Sequence, residues 1–236
     1  MLMYIFKNNR IIYDNYFKIF DVKKYKLKIS CLILIILLIN SLLCPIPYNY
    51  LQMISQSHML KGFDNLYDYT IPIISAFMII YVFYKDYTTE IYKLFTFYNR
   101  NNINYILLYR WIFYTLIFSI GSFITGLLYY RNISFLDITN LYLSIRFIPN
   151  ILFLSSLVLL IMTVFKNVYA AILILTSYVF VDFLSGGAIF KIFSIGAHAN
   201  NFYYTISPLY YIINRIVLII LSCIFVFISC KISCKI

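Results

Sequence analysis

Two charged residues stand inside long apolar runs, Asp182 and Arg215, and any intramembrane chemistry has to begin with groups of that kind. A charge held in hydrocarbon costs about 3 kcal/mol on insertion scales, so it marks a pairing or a task. At a rise of 1.5 Å per residue, Asp182 stands about 24 Å from the Lys166-Asn167 turn and Arg215 about 10 Å from Pro208. Those distances give the two charges similar depth, and the expectation is an intramembrane pair; the alternative is that each snorkels to the interface. Asn40 is a further polar group within a span. The remaining reactive types offer little. His58 and His198 are far apart in sequence and make a weak metal pair. The five cysteines, Cys31, Cys44, Cys223, Cys230 and Cys234, lack C-x-x-C spacing and lie in apolar runs or the tail, so they read as inert thiols. No phosphate loop, nucleophile elbow or H-E-x-x-H helix is present. The expectation is a chain that is not an enzyme, with no catalytic residue, metal or cofactor.

The elements that must carry these residues are six apolar stretches. Hydrophobic residues make up 63% of the 236, charged residues 11%, and the mean hydropathy is +0.87. A soluble domain of this size could not hide so much apolar surface. A helix needs about 20 apolar residues to cross a core of about 30 Å. The expected spans are 29–47, 66–84, 111–130, 147–165, 168–190 and 209–230. The fifth is interrupted by Asp182 and Gly186-Gly187. The fold class is an all-α integral membrane protein, with one six-span domain over residues 29–236 and a basic arm over residues 1–28. That arm reads as retained, since no small-residue cleavage site follows the first apolar run. Within it, Ile5, Ile12, Tyr16 and Ile19 keep helical spacing, which predicts an amphipathic helix on the membrane surface.

The net charge of +11 is an orientation signal rather than a nucleic-acid footprint. With an inner N-terminus, fourteen of the nineteen basic residues fall on the inner side. This is the positive-inside bias, and it puts both termini in the cytoplasm. The inner charge also attracts anionic lipid heads. On the outer side, Asn132-Ile133-Ser134 matches a glycosylation sequon.

Residues 85–110 form the most organised inner segment. Asp86 and Thr88 offer helix-start chemistry. Ile91, Leu94, Phe95 and Tyr98 then fall at i, i+3, i+4 and i+7, one apolar stripe, with Glu90 and Lys93 off it. Asn99 to Asn102 break the helix, and Arg110-Trp111 reads as an interfacial anchor entering the third span. Between the fifth and sixth spans, residues 188–195 are apolar but too short to cross. Flanked by Gly186-Gly187 and Gly196, they read as a re-entrant or interfacial outer helix. Pro208 is well placed to open the sixth span.

The order of these parts resembles the membrane subunit of a type-2 ABC transporter, the six-span permease of bacterial exporters. The resemblance is carried by the basic N-terminal arm and by the 86–94 segment followed by Asn99-Arg100 and Arg110. The tight hairpin at Phe165-Lys166-Asn167 with Ala170-Ala171, and the short outer helices, add to it. It implies a permease in the bacterial plasma membrane that dimerises with a second copy or a paralogue. Separate ABC ATPase subunits would dock beneath it. It also implies that Glu90, Ile91, Lys93, Leu94, Phe95, Tyr98 and Arg100 form the coupling helix that meets the ATPase. Amphipathic peptides, drugs or lipids are the expected substrates. The alternatives are a permease for a lipid-linked polysaccharide, a membrane enzyme acting on lipid, and a membrane anchor or assembly protein.

Overall fold

The computed structural model describes residues 24–49, 62–89, 103–133, 137–196 and 208–233. Seven α-helices and one 3₁₀ turn make up the described fold, with no strand among those residues: α1 Tyr25–Leu43, α2 Gly62–Thr88, α3 Ile103–Tyr129, α4 Ile138–Ile145, α5 Phe147–Phe165, α6 Val168–Ser185 and α7 Pro208–Ser233. Six helices are long and apolar enough to cross a bilayer. The chain is therefore a multi-pass membrane protein.

Local chemistry explains the boundaries. Pro45 and Pro47 follow α1 and cannot continue it. Asp137 caps α4 by accepting from the Ile138 amide at 2.7 Å, and Asn167 caps α6 by accepting from Tyr169 N at 2.8 Å. Gly186 and Gly187 end α6 at positive φ, 56° and 80°, with Gly187 N bonding back to Asp182 O at 3.0 Å. The glycine pair thus terminates the helix rather than interrupting it. Residues 188–195, expected as a short helix, form turns and one 3₁₀ turn, Lys191–Phe193.

Of the starts that come earlier than hydropathy predicts, two share a cause. The first span begins at Tyr25, and the third helix at Ile103 rather than Trp111. In both cases a basic residue counted as a flank, Lys26 or Arg110, is helical and buried against a neighbour. Asp86 and Thr88 also move: they lie in the last turn of α2, where Thr88 Oγ1 donates to Tyr84 O at 2.9 Å, and do not start a new helix.

α5 is the central helix. Leu154, Val158, Leu159 and Met162 are fully buried in one cluster with Tyr114 of α3 and Ile79 and Phe83 of α2, and Ile151 in a second with Phe118 of α3 and Ile71 of α2. α1 is peripheral. Its buried residues are polar (Lys26, Ser30 and Ser41), with Ile33, Leu34 and Leu37 partly buried, while Leu32, Ile35, Ile36 and Ile39 face out. That inversion is expected where the surroundings are hydrocarbon and only polar groups gain by facing protein. Ser30 and Ser41 donate to carbonyls four residues earlier, which leaves no hydroxyl hydrogen bare. Leu34 lies directly over Gly121 of α3, where a Cβ would come within 2.5 Å of its side chain.

Candidate functional site

Buried polar groups gather at the two ends of α2. The end that carries Ile195 is taken as the upper end and the end that carries Asp86 as the lower.

The upper cluster is built around irregular backbone. Residues 186–196 leave the helical state at membrane depth, where each backbone N–H and C=O needs a partner inside the protein. Side chains from three spans supply those partners, and a fourth span holds one of them in place. Asp182 Oδ2 accepts from the amides of Ile195 and Gly196, both at 3.1 Å, and from Tyr69 Oη of α2 at 3.1 Å. Asn214 of α7 donates to the carbonyls of Ile192 (2.7 Å) and Ser194 (3.0 Å). Asn150 of α5 donates to Ile195 O at 3.1 Å and accepts from Arg215 Nη1, while Arg215 Nη2 reaches Ile195 O at 3.5 Å. Tyr178 Oη donates to Phe193 O, and its ring packs on Phe190 at 4.5 Å. Ser194 and Ile195 are fully buried as a result. Gly196 is required there, because a Cβ would lie 1.7 Å from Tyr69 Oη.

One residue before Tyr69, Asp68 points the other way. It pairs with Arg146, at the junction of α4 and α5, at 3.1 Å, and both side chains are only 1% exposed. The Arg146 guanidinium lies over the rings of Tyr130 and Phe147 at 5.4 and 5.0 Å, so aromatic faces share its charge.

The lower cluster joins regular helices. Arg110 of α3 forms an ion pair with Asp86 of α2 through Nη1. Its Nη2 donates to Val82 O at 2.7 Å, and Lys26 Nζ of α1 donates to the same carbonyl at 2.6 Å. The Arg110 guanidinium stacks 4.2 Å above Phe83. Trp111, expected at the interface, is buried and donates from Nε1 to Ser155 Oγ of α5 at 3.2 Å. Interior partners win because an indole N–H in hydrocarbon has no other acceptor.

The structure brings the two sequence-predicted charges to one turn. Asp182 accepts from the amide of Ile195 and Arg215 donates to its carbonyl, so both charges bond to the same backbone residue. Asn40 lies on the exposed side of α1. Glu90, Ile91, Lys93, Leu94, Phe95, Tyr98 and Arg100 lie outside the described residues, as do the amphipathic arm before residue 24, His58 and His198. Among the described residues no three His, Cys, Asp or Glu gather as metal ligands. No family model, curated protein or solved structure matches the chain.

Sequence reasoning missed the Asp68–Arg146 and Asp86–Arg110 pairs, and the amides of Asn150 and Asn214. Their signal was present: each is a polar residue within or at the edge of an apolar run, and such a residue calls for a partner in lipid. The contacts can clamp helices and fix a turn.

Proposed function

We propose that this chain is the transmembrane subunit of an ABC-type exporter in a bacterial plasma membrane. In this reading both termini are cytoplasmic, a second copy or paralogue completes the pathway, and separate ATPase subunits drive it. Its cargo is an amphipathic peptide, drug or lipid. The observation that carries the reading is the ion pair between Asp86 and Arg110. It clamps the two stems of the 89–102 connection, which contains the apolar stripe Ile91, Leu94, Phe95 and Tyr98. A force applied to that connection would be delivered to α2 and α3 together. Through the shared Val82 carbonyl it would also reach Lys26 and α1. A connection that only floated among headgroups would have no use for so stiff a mounting. The general resemblance in layout and the basic charge on the lower side support the same orientation.

The test is the pair Leu94→Ala with Phe95→Ala. Truncating central interface side chains costs about 2 kcal/mol or more each. Expression and membrane insertion should stay normal, while co-purification of the partner ATPase should be lost. Full ATPase binding by the double variant would overturn the reading.

A further inference from the structure

A groove of about 270 Å³ runs between α2 and α6, immediately below the upper cluster. Tyr69, Ile73 and Phe77 line it from α2, and Leu175, Val179 and Phe183 from α6, each set spaced four residues apart along one face. Leu175 at its floor is fully buried, while the rings of Phe77 and Phe183 are 39% and 53% exposed at its rim. We infer that this groove binds one acyl chain of a phospholipid from the leaflet at the upper end, packed on Leu175 beneath the Tyr69–Phe183 contact.

Chemistry restricts the guest to an apolar one. The two hydroxyls on the wall are committed elsewhere: Thr176 Oγ1 to the carbonyls of Ile172 (2.9 Å) and Leu173 (3.0 Å), and Tyr69 Oη to Asp182. A water in the groove would have no polar partner there. Size restricts the guest further. From Tyr69 to Phe77 the groove runs about 12 Å along α2, close to the depth of one leaflet of a core about 30 Å thick. Its volume holds about nine groups of the roughly 30 Å³ that a water-sized unit fills. A single hydrocarbon chain fits that length and volume, and it is what surrounds a span at that depth. The edge-to-face contact of Tyr69 with Phe183, 5.4 Å between centroids, closes the top of the groove. The same tyrosine holds Asp182, so a seated chain would support the upper cluster from below.

The inference stands apart from the ATPase reading and has its own test. The full chain is reconstituted in phosphatidylcholine vesicles containing a minor fraction of phosphatidylcholine with a diazirine midway along one chain. After illumination, labelled positions are mapped by mass spectrometry. Phe77 and Phe180 are compared with Ile216 and Ile220 of α7, which are exposed at comparable depth below Asn214. The groove positions should be labelled about fivefold more, the excess given by roughly 1 kcal/mol of preference for the groove. Val179→Trp should remove the excess. Val179→Leu, a smaller filling that keeps the fold, should reduce it. Equal labelling of the two faces in the unaltered protein would overturn the inference. So would excess labelling that survives both substitutions, or protection of the groove by a second copy of the chain.

Discussion

The two polar clusters sit on one helix, about 27 Å apart along α2, and they solve different problems. The lower one, Lys26, Asp86 and Arg110 around Val82 O, joins three regular helices whose own backbone bonds are already made. Its ionic groups only set how α1, α2 and α3 sit together. The upper one has to replace the backbone bonds that residues 186–196 give up. Amides and hydroxyls do most of that work, because a peptide N–H or C=O is matched by a group of like strength without stranding a net charge. The upper ion pair, Asp68–Arg146, is also drier, at 1% exposure for each side chain against 10% for Asp86 and 5% for Arg110. The comparison teaches that burying polarity in a membrane protein can join helices in one place and fix a turn in another. The difference lies in whether the backbone at that level is helical.

The largest expected effect separates the two clusters directly. Asp68→Ala would break an ion pair whose two side chains are each 1% exposed, at about 3–5 kcal/mol. Asp86→Ala should cost less, about 2 kcal/mol, since Arg110 keeps Val82 O and the pair is less deeply buried. Thermal unfolding of the two variants in the same detergent checks the order, and a greater loss for Asp86→Ala would break the comparison.

Next comes the relation between Asp182 and Arg215. Removing the Asp182 carboxylate leaves the amides of Ile195 and Gly196 buried without their acceptor, a cost of about 2–3 kcal/mol. Because Asp182 accepts from the Ile195 amide and Arg215 donates to the Ile195 carbonyl, the exchange Asp182→Arg with Arg215→Asp should recover nothing. Folded yield restored by the exchange would show that the two charges act as a direct pair.

Gly196→Ala probes the packing of the upper turn. A methyl group 1.7 Å from Tyr69 Oη forces that ring off Asp182, with an overpacking cost of about 1–3 kcal/mol. In a Tyr69→Ala background the added loss should disappear. Equal losses in both backgrounds would place the strain elsewhere.

The smallest effect falls outside both clusters. Lys166 closes α5 in the left-handed conformation, φ 52°. Lys166→Gly should therefore raise stability by about 1 kcal/mol, the strain an L-residue carries there. A loss on substitution would show that the side chain itself holds the hairpin, and this variant serves as the reference for effects unrelated to either cluster.

Much of the architecture was legible before any coordinates. The lengths of the apolar runs determined six spans, since bilayer thickness and helical rise leave little choice. Pro208 marked the start of α7, and Lys166-Asn167 marked the hairpin between α5 and α6. Those are local statements, and local chemistry suffices for them. Hydropathy could not show that Lys26, Arg110 and Trp111 turn inward, because a basic or indole side chain near a span end satisfies itself equally well by snorkelling or by finding a buried acceptor. Nor could sequence reveal which polar group meets which. In lipid every polar side chain calls for a partner, so its presence in a span is readable from the chain alone. The partner is decided by which helices are neighbours and how each is rotated, and only the tertiary packing sets those. Asp68 and Tyr69 make the point: adjacent in sequence, they face different helices, one held by Arg146 and the other by Asp182.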